Sequence, residues 1–337
     1  MTTKSLYGLS PAEIASTLSL DKKYQGQQIF EWLIKGVTSF EEMTNLSKAL
    51  REDLKEVSPI SSRVLEEQTD STGAVKLLIE LHDSSPIECV LLVDKEGRQT
   101  ACLSSQVGCA IGCAFCRTAT MGLRRNLEAF EIIEQYVHLL KVGDNITHLV
   151  FMGMGEPLAN LDEVISAITY FHQEEGFNIG LRRITVSTCG IAPAIEKLTR
   201  LNLPVRLAVS LVVANDEQRN EVMPINRSFP LRELKRVLID YQAVYKKRIT
   251  LEYVLLSGYN TTQENAKELA MFIRDLDAMV NLIPYNEAAE LHWSTPPPQE
   301  IESFTQKLDQ QKVPYTVRYS RGREIDGACG QLATKLE

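Results

Sequence analysis

From about residue 100 onward the sequence alternates short apolar, β-branched runs with longer amphipathic stretches, six times in succession. Strands are expected at 100–104, 148–152, 183–187, 205–211, 250–255 and 280–284. Helices are expected between and after them, at 127–141, 161–174, 191–200, 231–245, 262–275 and 298–311. A repeat of this kind implies a parallel sheet with right-handed crossovers. Six units with no sign of a strand-order reversal predict an α/β fold built as a partial (β/α)6 barrel, not a closed eight-stranded one. A last strand at 315–319 leads into a stretch containing Gly322, Gly327, Cys329 and Gly330. Such folds gather their chemistry at the carboxyl ends of the strands.

The residues before the repeat read differently. Ser10-Pro11-Ala12-Glu13 has the form of a capping box with proline at the first helical position. A second helix is expected at 24–35, presenting Ile29, Trp32 and Leu33 and stopping near Gly36. Shorter helical pieces follow at 39–42 and 47–57, which makes 1–60 a small helical domain. Two apolar runs at 75–81 and 87–93, joined by Asp-Ser-Ser-Pro, predict a β-hairpin within a 61–99 extension. The barrel then occupies 100–330, with a short tail at 331–337.

The densest chemical signal is Cys-Ala-Ile-Gly-Cys-Ala-Phe-Cys, which places Cys109, Cys113 and Cys116 in one loop directly after the first strand of the repeat. Three thiolates can hold three irons of a four-iron, four-sulfur cluster, leaving the fourth iron open to a small molecule. The competing readings are a structural zinc and three unrelated buried thiols. Zinc sites usually draw four ligands from paired groups. This loop has one Cys-x-x-Cys pair, and none of the five histidines lies in it. Gly108 and Gly112 suit a backbone that wraps a metal-sulfur core.

Other strand ends carry small or polar groups: Gly-Met-Gly-Glu-Pro at 153–157, Ser187-Thr188, Ser210, and Pro284-Tyr285-Asn286. The glycines would let a ligand approach the backbone, and Glu156 could accept bonds from an amine. Each alone is an ordinary turn or cap residue; their shared location points to a ligand. Cys102 lies in the first strand of the repeat, and Cys329 in a loop that offers little to pack against. Glu88 sits in an apolar strand, either as an edge charge facing water or pointing into the barrel mouth, where burial would raise its pKa and suit it to proton transfer.

Composition limits the setting. Seven cysteines, an odd number, fit a reducing compartment better than a disulfide framework. No signal-peptide core and no membrane-length apolar run occur, so a cytoplasmic protein with no membrane partner is expected. The net charge of -8 argues against indiscriminate nucleic-acid binding. Basic residues nevertheless cluster at Arg124-Arg125, Arg182-Arg183, Lys246-Lys247-Arg248, and Arg318 with Arg321 and Arg323. These are either a basic face or the solvated ends of elements.

The three-cysteine loop, the following Gly-Leu-Arg-Arg-Asn-Leu, the Gly-Met-Gly-Glu-Pro-Leu segment and Gly-Ala-Cys-Gly-Gln-Leu at 327–332 together resemble the radical S-adenosylmethionine RNA methyltransferases of the RlmN and Cfr type. The resemblance runs from about residue 24 to the end. It implies that Cys109, Cys113 and Cys116 bind one 4Fe-4S cluster and that S-adenosylmethionine chelates the open iron, contacted by Gly155, Glu156, Ser187, Ser210 and Asn286. By the same resemblance Cys329 takes a methyl group from one S-adenosylmethionine, and a second is reduced to a 5'-deoxyadenosyl radical that abstracts hydrogen from that methyl. The resulting carbon radical adds to adenine. Glu88 matches the family's proposed base, and Cys102 the thiol that resolves the protein-RNA adduct through a transient disulfide with Cys329.

The implied partners are 23S rRNA, tRNA and an electron donor such as flavodoxin or ferredoxin, with the helical domain helping to engage folded RNA. Methylation at adenosine C2 is the leading expectation. Methylation at C8, and a non-catalytic Fe-S RNA-binding or assembly role, are the alternatives. One departure stands out: the family usually reads Ser-Leu-His after the fourth strand, where this chain has Ser210-Leu211-Val212. The lost histidine is expected to remove a polar contact near the cofactor or its surroundings.

Overall fold

The protein is described by a computed structural model covering residues 5–333. The first four residues of the expected helical domain and residues 334–337 of the expected tail lie outside the described residues.

The amino-terminal module opens with α1 (Pro11–Thr17), whose capping box is formed by Ser10 and Glu13. It packs on α2 (Lys23–Leu33), which buries Ile29, Phe30 and Leu33. The two helices touch at Gly26, where a Cβ would fall 2.2 Å from the Pro11 carbonyl oxygen. A 3-10 turn at Phe40–Glu42 and α3 (Lys48–Asp53) complete the module.

Next come β1 (Arg63–Thr69), β2 (Val75–Glu80) and β3 (Pro86–Val93), antiparallel neighbours in sequence order. The expected hairpin is β2 and β3. β1 was not expected, because its Arg-Val-Leu-Glu-Glu-Gln-Thr is almost wholly exposed at the sheet edge and lacks inside-outside alternation. The hairpin is also no separate appendage: β3 pairs antiparallel with β4 (Gln99–Cys102), the first strand of the barrel.

The barrel sheet continues in parallel from β4 through β7 (Ile146–Phe151), β8 (Ile184–Thr188), β9 (Arg206–Ser210), β10 (Ile249–Leu255) and β11 (Ala278–Pro284) to β12 (Tyr315–Val317). These seven parallel strands and β1–β3 form one ten-stranded sheet whose ends do not meet, so the barrel is open. β5 (Gln106–Gly108) and β6 (Leu123–Asn126) make a separate antiparallel ribbon around the short α4 (Arg117–Thr120).

Outside the sheet lie α5 (Ala129–Val142), α6 (Leu161–His172), α7 (Ala192–Arg200), α9 (Leu231–Tyr245), α10 (Gln263–Ile273) and α11 (Pro298–Gln310). Their inward residues recur at helical spacing: Val164, Ile168 and Phe171 in α6, and Leu231, Leu234 and Leu238 in α9. A further short helix, α8 (Asp216–Val222), has a polar sequence that conceals a fully buried Arg219. No helix among the described residues is long and apolar enough to cross a membrane.

Glu134 of α5 joins the module's exit to the barrel. Fully buried, it accepts bonds from the Ser61 and Ser62 backbone N–H groups at 2.8 and 3.0 Å and from the Ser61 hydroxyl at 3.0 Å. Glu134→Ala would strand the buried Ser62 N–H and the half-buried Ser61 N–H at a cost of about 1–3 kcal/mol, read as a lower urea midpoint.

Candidate active site

The carboxyl ends of the parallel strands surround one cavity of about 270 Å³. Its wall includes Cys102, Cys109, Cys113, Cys116, Gly155, Glu156, Ser187, Ser210, Asn286 and Cys329, which is every residue given a role by the family resemblance except Glu88.

The cysteine loop is closed at its base. β5 and β6 pair across it, and Cys109 N–H donates to the Gly122 carbonyl at 2.9 Å. Gly108 has φ +77°, and a Cβ there would lie 1.8 Å from the Gly122 oxygen, so only glycine fits. Farther round, Ala114 N–H bonds the Val222 carbonyl at 2.9 Å and its own carbonyl accepts Trp293 Nε1 at 3.0 Å. Behind the thiols lies an apolar cluster of Phe115, Val212, Val222, Met223, Leu256 and Tyr285. Burial pushes the Cys109 thiol up to about 11 and raises that of Cys113 as well. Thiolates there need a cation to hold them, as metal ligation supplies. Among the described residues no group of three or more His, Cys, Asp or Glu could hold a single metal ion. A cubane cluster asks something different, one thiolate per iron at three separate corners.

Opposite the loop, Gly155 has φ +99°, and a Cβ would press to 2.6 Å from Gln106 Cβ. The Gln106 side chain in turn accepts Glu156 N–H at 2.9 Å. The Glu156 carboxylate is buried and accepts the N–H groups of Cys189 at 2.7 Å and Leu158 at 3.0 Å. Burial raises its pKa, and those hydrogen bonds oppose the rise. Asn286 donates to Ser320 Oγ at 2.9 Å and to the Cys329 carbonyl at 3.1 Å. Its Oδ1 is buried with no hydrogen-bond partner, as is the neighbouring Tyr285 hydroxyl. Buried polar atoms are normally satisfied, so these two suit a polar ligand in the cavity.

Cys102 is buried at the end of β4, and burial followed by the nearby Cys329 raises its pKa. Cys329 is open to solvent through the cavity yet surrounded by protein. Burial raises its pKa too, opposed first by Arg318. The Cys329 segment is tied to the cysteine loop: Arg117 N–H donates to the Gly330 carbonyl at 2.8 Å, and the Thr118 hydroxyl to the Leu332 carbonyl at 2.6 Å.

Glu88 is no water-facing edge charge. It is 6% exposed, ion-paired to Lys76 Nζ at 3.0 Å, and accepts Ala333 N–H at 2.9 Å. Its pKa is raised by burial and lowered in part by Lys76. It occupies the flank of the cavity, not its wall.

Val212 is fully buried in the apolar cluster against which Cys113 and Cys116 pack and is absent from the cavity wall, so the position of the replaced histidine belongs to the surroundings of the site and not to its lining. Its φ of +61° is unusual for a β-branched residue, and histidine tolerates that region better. Asn260 Nδ2 donates to the Val212 carbonyl at 2.9 Å and helps hold the conformation.

Several site residues escaped sequence reasoning. Glu252 on β10 lines the cavity with its pKa pushed up to about 7 by burial, against the pull of Arg318. Arg219 donates to the carbonyls of Cys189, Ser210 and Leu211 at 2.7, 3.1 and 3.0 Å, fixing the ends of β8 and β9. Of the basic clusters, Arg318 and Arg321 face the cavity, whereas Arg125 is consumed by Asp83 and Glu131.

An open α/β sheet with three thiols on the loop after its first parallel strand defines a radical S-adenosylmethionine enzyme, and the model of that superfamily matches residues 103–273. The model of the ribosomal RNA large subunit methyltransferase N-terminal domain matches residues 6–60. Proteins described as probable dual-specificity RNA methyltransferase RlmN from Treponema pallidum and Moorella thermoacetica are each 43% identical to this chain, over 97% and 98% of both sequences. The crystal structure of a radical SAM methyltransferase from Sphaerobacter thermophilus superposes with a TM-score of 0.92 at 41% identity, covering 98% of this chain and 99% of that one. The chain belongs to the RlmN family of radical S-adenosylmethionine RNA methyltransferases. That membership implies a 4Fe-4S cluster and S-adenosylmethionine, and it favours the cluster over zinc at the cysteine loop.

Gly108→Ala forces the base of the loop apart. Iron retained after anaerobic reconstitution is expected to weaken on the order of tenfold, measured as iron per chain against chelator.

Proposed function

We propose that this protein methylates C2 of an adenosine in 23S rRNA and in tRNA, through a methyl group carried on Cys329. The observation that carries the reading is that Cys102 and Cys329 line the same cavity as Cys109, Cys113 and Cys116. A module matching a ribosomal RNA methyltransferase domain and relatives described as dual-specificity enzymes support the choice of substrates.

The residues fit both groups that the family uses. Cys109, Cys113 and Cys116 would hold the cluster. Gly155, Glu156, Ser187, Ser210 and the unpartnered Asn286 Oδ1 would hold S-adenosylmethionine. Together these groups supply a methyl group and one-electron chemistry, two S-adenosylmethionine molecules per turnover, which lets a carbon radical attack a ring carbon too electron-poor for polar transfer. The chain's own residues do the rest. Cys329 reaches substrate through the open cavity and accepts the methyl as its thiolate, a form that Arg318 favours. Once the adduct joining Cys329 to the adenine has given up its unpaired electron to the one-electron chemistry that the cluster would supply, Glu88 removes the ring proton. The Cys102 thiolate then attacks the Cys329 sulfur; an S–S bond forms, the C–S bond breaks, and its electron pair stays with the carbon, which takes up a proton. A reductant reopens the disulfide, and flavodoxin or ferredoxin is the fitting source of single electrons. The RNA substrates place the enzyme in the cytoplasm.

The test is anaerobic reconstitution with S-adenosylmethionine, a reductant and ribosomal or transfer RNA fragments, followed by nucleoside mass analysis. 2-Methyladenosine is expected. Only 8-methyladenosine would overturn the C2 assignment, and no product with no methyl on Cys329 would leave a binding protein. Cys329→Ala should abolish methylation. Cys102→Ala should still load methyl on Cys329 but accumulate covalently bound RNA, visible as a shifted band in a denaturing gel.

A further inference from the structure

Lys76 has no part in the chemistry described so far, yet it is one of the few buried lysines a soluble protein tolerates. It lies on β2 diagonally across from Glu88 on β3: Lys76 is paired in register with Val90, and Leu78 with Glu88. That places both long side chains on one face of the sheet, within reach of each other. The side chains are 10% and 7% exposed, and Nζ stands 3.0 Å from Glu88 Oε1.

Every other polar group of Glu88 is also pinned. Its second carboxylate oxygen accepts Ala333 N–H at 2.9 Å. Its carbonyl accepts the Ser104 hydroxyl at 2.5 Å, and its N–H meets Met154 Sδ at 3.3 Å. Lys76 and Glu88 also line a small open chamber of about 20 Å³ together with Glu66, Gln68 and Leu78. That is room for one water molecule with polar partners. Leu92, two alternations from Glu88 on β3, lines the catalytic cavity, as does Leu332 beside Ala333. The carboxylate is therefore bonded to a segment, and borne by a strand, that both contribute to the wall of that cavity.

We propose that Lys76 is a positioning residue for the proton-removing step: it aims the Glu88 carboxylate at the flank of the cavity and keeps it ionised, ready to take the ring proton of the adduct. The step is a single heterolysis. In the adduct that has already lost its unpaired electron, the ring C–H bond breaks, its electron pair stays in the adenine ring, and the proton goes to Glu88 Oε. The inference rests on Glu88 being the base. The other titratable or charged groups near the carboxylate are Arg117, whose guanidinium also binds Glu290 and Asp326, with Glu66 across the chamber and the adjoining Cys89. Lys76 is the one in direct contact. A buried carboxylate deprived of that contact protonates more readily, so loss of Lys76 should harm proton removal most at low pH and least at high pH.

The experiment follows release of the covalent protein-RNA adduct across pH, using RNA with hydrogen or deuterium at adenosine C2, in the reconstituted full-length enzyme. For Lys76→Met, methyl loading on Cys329 should match wild type, which also reports that the variant is folded. Adduct release should slow at least tenfold at neutral pH, about tenfold for each unit by which the carboxyl midpoint rises. The ratio of variant to wild-type rate should recover toward alkaline pH, and the deuterium effect should grow. Lys76→Arg should stay within about threefold of wild type. Lys76→Gln serves if Lys76→Met fails to load methyl. An unchanged pH ratio and isotope effect in a neutral variant would overturn the proposal for Lys76. Normal release from Glu88→Gln would instead overturn Glu88 as the base.

Discussion

One backbone hydrogen bond, from Arg117 N–H to the Gly330 carbonyl, joins the two ends of the site. Arg117 follows the last cysteine of the three-cysteine loop, and Gly330 follows Cys329, the proposed methyl carrier, so a 2.8 Å contact sets how these segments face each other. Thr118 with Leu332, and Gln331 Nε2 with the Glu287 carbonyl at 2.9 Å, hold the same seam. Radical chemistry demands this kind of fixation, because a reactive carbon held in position reaches its target before side reactions intervene. Neither segment is regular secondary structure at its reactive residue. Their mutual bonding replaces the rigidity that a helix or strand would have given.

The cavity's electrostatics follow from burial opposed by a few cations. Thiols and carboxyls there are pushed toward their neutral forms, and Arg318 pulls against that at Cys329 and Glu252, as Lys76 does at Glu88. Arg219 works through geometry, fixing the carbonyls that end two strands. Arg318 and Arg321 on the cavity wall thus give a protein of net charge -8 local positive charge where a polyanionic substrate would approach.

Much of this was legible because the repeat has clear periodicity. The helix expected at 231–245 matches Leu231–Tyr245, and the six expected barrel strands all form, with ends moved by a few residues. β1 escaped because a sheet edge leaves nearly all its side chains in water. α8 escaped because Arg219, its most buried side chain, looks like a surface residue in sequence. The three-cysteine loop could be read from spacing alone, since its ligands are neighbours in the chain. That Cys102 and Cys329 face each other across one cavity depends on the crossover of the whole barrel, which no local pattern encodes. Glu88 shows the same limit. Its strand was plain, but which side of the sheet it met, and that a lysine waited there, depended on the register of β2 against β3.

The covering of the cavity by the segment around Cys329 has a consequence for biogenesis. The loop carrying Cys109, Cys113 and Cys116 belongs to the first unit of the barrel, whereas the segment that roofs it is translated after all the other barrel strands. A nascent chain therefore presents its three thiols while the site is still uncovered. The order of synthesis thus leaves the three thiols reachable from a side that the segment around Cys329 later partly covers.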